Sequence, residues 1–330
     1  MPTRSALILL SLFALASPLA AQDRVGVDAD TSGDALAPGR NLALSLEGGA
    51  REASGARAAI VVAHGAGTIW NDRVREVARG AATGDPVEVA FLMGPGAEAR
   101  PFQNVVADLV ERGASEIVIV PLLVSSHSGH YDQLRWLAGE IDSLDPYMRH
   151  HLEMAGITRP AAGPRVMLAA ALDDAPELAE VLADRALALA ESPADQALFL
   201  IGHGPNTAED HARWMADLRP VAERVRDATG FRDVKVGLVR DDAPAQVRTE
   251  AVRGIREIIA LQHDLTGRPV VVVPVLVSEG SLSREKIPAD LDGLVVVYTG
   301  EPILPHPALA EWIARRIADP GRAEVAGGVP

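Results

Sequence analysis

The chain has 330 residues, 48% hydrophobic but only 4% aromatic, so its core must be Val, Leu, Ile and Ala, enough for one large or two ordinary domains. Forty-five acidic against 31 basic residues leave a net charge of −14, which argues against nucleic acid as the main partner. There is no cysteine, which excludes disulfides, thiolate metal sites and a lipid-modified N-terminal cysteine.

Residues 1–22 read as a secretory signal: Arg4 at the start, an apolar run over 6–20, and small residues around 18–21 for cleavage. The run is shorter than the roughly 20 residues a spanning helix needs. The mature chain is therefore expected to have no membrane span and to reside in the periplasm or outside the cell. Residues 23–57 lack sustained periodicity and read as a flexible leader with one short strand at 42–46.

From residue 58 strands and helices alternate. Strands are predicted at 58–62, 87–92, 117–120 and 165–170, with helices from about Asn71 and over 101–112, 132–143 and 176–190. Such alternation predicts a parallel sheet flanked by helices. Ala58–Asn71 (AAIVVAHGAGTIWN) returns as 197–206 (ALFLIGHGPN), 117–125 (IVIVPLLVS) as 270–278 (VVVVPVLVS), and 174–182 (DAPELAEVL) as 305–313 (PHPALAEWI). Three echoes in one order predict a duplicated α/β fold. The expected parts are a first lobe at 58–192, a second at 193–318, a tail at 319–330, and a cleft shared by the lobes.

Ligands of open α/β sheets bind beyond the carboxyl ends of strands. The 117–120 strand stops at Pro121, which lacks a ladder donor, and runs into a loop bearing His127 and His130. The first strand ends in His64-Gly65. Where strands ending in histidine are neighbours, His64 lies close to His127 or His130, and two neutral imidazoles make a first shell for a divalent transition ion with positions left open. His130 is favoured as the ligand and His127 as an outer or alternative donor. A serine-hydrolase reading of Ser125, Ser126 and Ser128 is weak, because no Gly-x-Ser-x-Gly elbow and no obvious helix start follow the strand. In the second lobe His203-Gly204 repeats His64-Gly65, but Leu282 stands in the partner loop, which has no histidine. His203 is an extra ligand or a substrate contact, or equally a structural residue; His306 reads as structural, and His150-His151 as a solvated helix face.

The strand-His-Gly start, Phe91-Leu92, Gly113-Ala114, and the Val-Pro-Leu strand leading to a Ser/Gly/His loop together resemble the sirohydrochlorin cobaltochelatases, which are class II tetrapyrrole chelatases. Ser-Arg-Glu-Lys-Ile-Pro at 283–288 and Leu-Pro-His-Pro at 304–307 carry the resemblance most specifically. It implies insertion of a divalent ion, Co²⁺ first with Ni²⁺ or Fe²⁺ as alternatives, into a reduced tetrapyrrole held between the lobes. His64 and His130 would be the catalytic, metal-binding pair, with His127 alongside. A carboxylate often found after the Phe-Leu pair is Met93 here, and Arg240 stands at the equivalent second-lobe position, so the helping acid is missing or supplied elsewhere. Substrate carboxylates would need cations; His203, Arg240 and Arg284 are the first candidates, then Arg100, Arg135 and Arg248. The rival expectation is a non-catalytic metal- or tetrapyrrole-binding protein that keeps the fold.

Overall fold

A computed structural model describes residues 57–161 and 163–321. The expected signal, leader and 42–46 strand, and the tail beyond 321, lie outside the described residues. Two four-stranded parallel sheets account for all the strands described. In the first, β1 (Arg57–Ala63) lies between β2 (Val87–Phe91) and β3 (Glu116–Pro121), and β4 (Arg165–Leu168) completes the order β2-β1-β3-β4. In the second, β5 (Ala197–Gly202), β6 (Asp233–Leu238), β7 (Val270–Val275) and β8 (Val296–Val297) repeat that arrangement as β6-β5-β7-β8. β1 and β3 are all but fully buried, as unbroken β-branched runs require when helices cover both faces of a sheet. Pro121 is the last residue of β3 and sits opposite Val62, so its missing donor costs the ladder only at its end.

The helices of the first repeat are α1 (Thr68–Gly80), α2 (Gly94–Ala99), α3 (Phe102–Glu111), α4 (Gly129–Ala138), α5 (Pro146–Met154) and α6 (Pro176–Leu189). Those of the second are α7 (Ala208–Thr229), α8 (Ala245–Thr266), α9 (Ile287–Asp290) and α10 (Pro307–Ala318), with a π-helical turn at Leu282–Lys286 ahead of α9. α4 begins three residues earlier than periodicity predicts, because Ser128 caps it by accepting from Tyr131 N at 3.2 Å. It stops earlier too, at Gly139 in the left-handed region.

The repeats exchange their last helices. α6, which closes the first repeat in sequence, packs on α7 and against β7 of the second sheet. α10, which closes the second, packs on α1, α6 and β3. Trp312 on α10 is fully buried in the core that includes β1 and β3. Polar ties hold the exchange: both nitrogens Nε and Nη2 of Arg315 reach Glu177 at 2.7 Å, and Arg57 donates to Ile317 O at 3.2 Å. His306 caps α10, accepting from Ala308 N and facing Asp184 at 3.2 Å, the structural role expected of it. Among the described residues no helix is long and apolar enough to cross a membrane.

Candidate metal centre

One backbone device sets the first histidine of each lobe. The carbonyl of His64 accepts from Met93 N at 2.9 Å, and that of His203 from Arg240 N at 2.6 Å, so Met93 and Arg240 occupy equivalent places. Gly65 and Gly204 follow with φ of 90° and 81°, and a Cβ on Gly65 would strike the Met93 carbonyl. His64 Nδ1 then lies 2.8 Å from the Gly65 carbonyl. A carbonyl only accepts, so Nδ1 carries the proton and Nε2 keeps its lone pair.

β1 and β3 are neighbours, and the loop after β3 delivers His130 in the first turn of α4. Its ring meets that of His64 edge-on, with centroids 4.6 Å apart and planes at 86°. His130 Nδ1 lies 2.9 Å from Oε1 of Gln133, whose side-chain nitrogen donates to Met148 O at 2.7 Å. The second bond orients the fully buried amide, so its oxygen is what faces His130. Nδ1 of His130 is therefore the protonated nitrogen, and Nε2 is again free. Burial, then the charge of His64, brings the His130 pKa down to about 4, and burial above all lowers that of His64. Both rings are neutral at pH 7, the form that binds metal.

Gln133→Leu leaves the His130 Nδ1–H without its partner and removes the second bond to Met148 O. It is expected to cost about 1–3 kcal/mol of stability and ten- to a hundredfold, in order of magnitude, in metal affinity. Titration calorimetry with Co²⁺ beside urea unfolding reads both; unchanged affinity would show that the amide does not orient the ring.

His127 does not join the pair as an alternative donor. Its Nε2 is 3.7 Å from Asp217 on α7, and its carbonyl accepts from Trp214 Nε1 at 2.7 Å, so this residue ties the loop to the second repeat. Burial, with Asp173 and Asp174 nearby, pushes the Asp217 pKa up to about 7. The serines are staples as well. Ser126 binds Asp173 through N (2.6 Å) and Oγ (2.7 Å), Ser125 Oγ accepts from His127 N, and Ser128 caps α4. None is placed as a nucleophile.

His203 faces an acceptor on each side, Gly204 O at 2.7 Å from Nδ1 and Asp242 Oδ2 at 3.2 Å from Nε2. Two acceptors need two protons. Burial lowers the His203 pKa, but the bond to Asp242 and its charge outweigh that and raise it. His203, Asp241 and Asp242 bring three ligand atoms within 4.8 Å of one another. Asp241 already carries Lys286 at 2.6 Å and Arg248 at 3.0 Å, so this group neutralises itself. The charges of His203 and Asp242 act on His64, and His130 feels His203.

The arginines proposed as substrate contacts are engaged within the chain. Arg240 donates to Pro205 O and Asn206 O, Arg284 pairs with Glu279, and Arg248 with Asp241 and Asp290. Arg100 pairs with Glu88 and Asp108, and Arg135 with Asp132 and Glu140. Glu279 also takes Arg73 of α1 at 3.0 Å, a bridge between the repeats. Sequence reasoning missed Gln133, Asp242 and His151. Asp242 lies two positions past the expected acid site, beyond what alignment of the repeats can find. His151, read as solvated, acts electrostatically on both His64 and His130.

Duplicated parallel sheets with a histidine pair at the strand ends of one lobe define a protein of the class II chelatase type. The CbiX family model matches residues 58–189 and 197–320, and the chain belongs to that family. Among solved structures, SirB from Bacillus subtilis with Fe³⁺ is similar at a TM-score of 0.55 and 17% identity, over 80% of this chain and 94% of that one. The sirohydrochlorin chelatase SirB from Bacillus subtilis subspecies spizizenii in complex with cobalt gives 0.53 and 17%, over 80% and 94%. CbiX, described as the terminal enzyme for biosynthesis of siroheme in denitrifying bacteria, gives 0.50 and 16%, over 81% and 100%. No curated protein sequence matches the chain.

Proposed function

We propose that this protein inserts a divalent transition ion, Co²⁺ first and Ni²⁺ or Fe²⁺ as alternatives, into a reduced tetrapyrrole of the sirohydrochlorin type. We place that activity outside the cytoplasm, on the signal-like residues 1–22. The observation that carries the reading is the convergence of His64 and His130, each with Nδ1 committed and Nε2 free. The SirB structures that hold Fe³⁺ and cobalt support the choice of ion.

In this reading His64 and His130 bind the ion through two neutral nitrogens and leave its other positions to water. The macrocycle nitrogens displace that water one after another. Two pyrrole protons must leave as the ion enters, and with both Nε2 atoms on the metal and Asp242 held by His203 they pass to water. His203, like Arg240 and Arg284, is already paired within the chain, so a substrate carboxylate would bind it by displacing Asp242. The acid position held by Met93 favours a second reading, in which the protein carries metal or tetrapyrrole without turnover.

Steady-state metallation of sirohydrochlorin, followed by its visible spectrum with Co²⁺, Ni²⁺ and Fe²⁺ in turn, separates the two. Acceleration over metal alone supports the enzyme, and tight binding of ion or macrocycle without acceleration supports the carrier.

A further inference from the structure

α5 sits close against the start of α4. Met148 O holds Gln133, the Met148 side chain leaves no room for a Cβ on Gly129, and Arg149 stacks 5.4 Å from the centre of the Trp136 ring. Met148, His151 and Leu152 are spaced i, i+3, i+4 and form the inward face of this helix, whereas Arg149, His150 and Glu153 are exposed. Helical phase thus separates two adjacent histidines: His150 is exposed, and His151 is half-buried on the face that Met148 sets against α4. His151 stacks on Tyr147 at 4.3 Å, and its Nδ1 is buried with no hydrogen-bond partner. A buried polar atom without a partner calls for an explanation, and a ligand atom awaiting an ion is one.

Resting on the metal-centre reading above, we propose that His151 is a third metal-contacting imidazole, so that the ion is taken by three neutral nitrogens from the end of β1, from α4 and from α5. The third donor thus comes from α5 and not from the Met93 position. The three histidines do not gather ligand atoms within 4.8 Å of one another as they stand, so binding in this proposal needs the half-buried His151 ring to rotate. Three imidazoles select borderline transition ions over Mg²⁺ and Ca²⁺, which take oxygen ligands. They also leave the full charge of the ion uncompensated, a state that favours hand-over to a macrocycle turning dianionic.

The test is X-ray absorption on the full chain with one equivalent of Co²⁺, with calorimetry on the wild type and on His64→Ala, His151→Ala and His150→Ala, each checked for a native melt. The expected result is three imidazoles in the wild type and two in His151→Ala, with affinity down at least about tenfold and His150→Ala unchanged. His151→Gln separates loss of the nitrogen from loss of packing and should bind as weakly as His151→Ala. Two imidazoles in the wild type, with His151→Ala binding as tightly, overturn this proposal and leave the two-histidine centre standing. A wild type whose Co²⁺ binding is absent, or unaffected by His64→Ala, overturns both.

Discussion

His64→Ala and His130→Ala are each expected to lower Co²⁺ affinity by more than the roughly ten- to hundredfold that losing an outer partner costs. Each ring offers one free nitrogen, Nε2, because Gly65 O and Gln133 Oε1 hold the other. The pH dependence follows from burial. Free imidazole protonates near pH 6.5, the point below which the sequence alone would have binding fail. In the folded chain His130 stays neutral to about 4 and His64 is shifted the same way, so binding should persist well below pH 6.5 and be lost on approach to 4. The same shift bears on stability. Between about pH 6.5 and 4 the unfolded chain binds more protons at position 130 than the folded one, so stability falls as pH drops through that window. The loss is on the order of 3 kcal/mol. His203 has the opposite sign: its raised pKa contributes stability at low pH that disappears as pH rises through its folded value. Calorimetric Co²⁺ titrations from pH 8 to 4 check the binding profile, and a midpoint at 6.5 would mean that these rings are not buried as described.

Trp312→Ala is expected to destabilise the protein by about 3–5 kcal/mol, the cost of emptying a fully buried aromatic site. Its consequence is broader than its position suggests. Trp312 belongs to the second repeat in sequence but to the first lobe in packing, so one cavity loosens the lobe that carries His64 and His130. Urea unfolding should remain a single transition at a lower midpoint. A new early transition confined to the second sheet would contradict the exchange. Trp312→Phe should cost far less, since it keeps the ring and removes an indole N–H that has no partner.

Much of this fold was legible, and particular residues show why. Buried parallel strands leave unbroken runs such as Ile117–Val120, and duplication printed those runs twice. His64 was readable because it ends a buried strand and is followed by a glycine, which lets a ligand approach the backbone closely. The exchange of α6 and α10 was not readable. Each helix carries an apolar stripe that suits either sheet, and only the geometry of the connections decides which sheet it meets. The start of α4 was hidden because Ser128 and Gly129 look like loop residues until the cap is seen. His150 and His151 differ only in helical phase, which requires knowing where α5 begins, at the Asp145 cap. The arginines looked free because their carboxylates come from distant elements, as Glu88 does for Arg100 and Asp290 for Arg248.

The most direct measurement of the central claim is a single turnover. Protein loaded with one equivalent of Co²⁺ is mixed with sirohydrochlorin and excess chelator, and metallation is followed by stopped-flow absorbance. The account predicts that the loaded ion reaches the macrocycle faster than the chelator can take it, and that His64→Ala and His130→Ala lose this transfer. Metallation no faster than with free Co²⁺, or transfer that survives both substitutions, would contradict it.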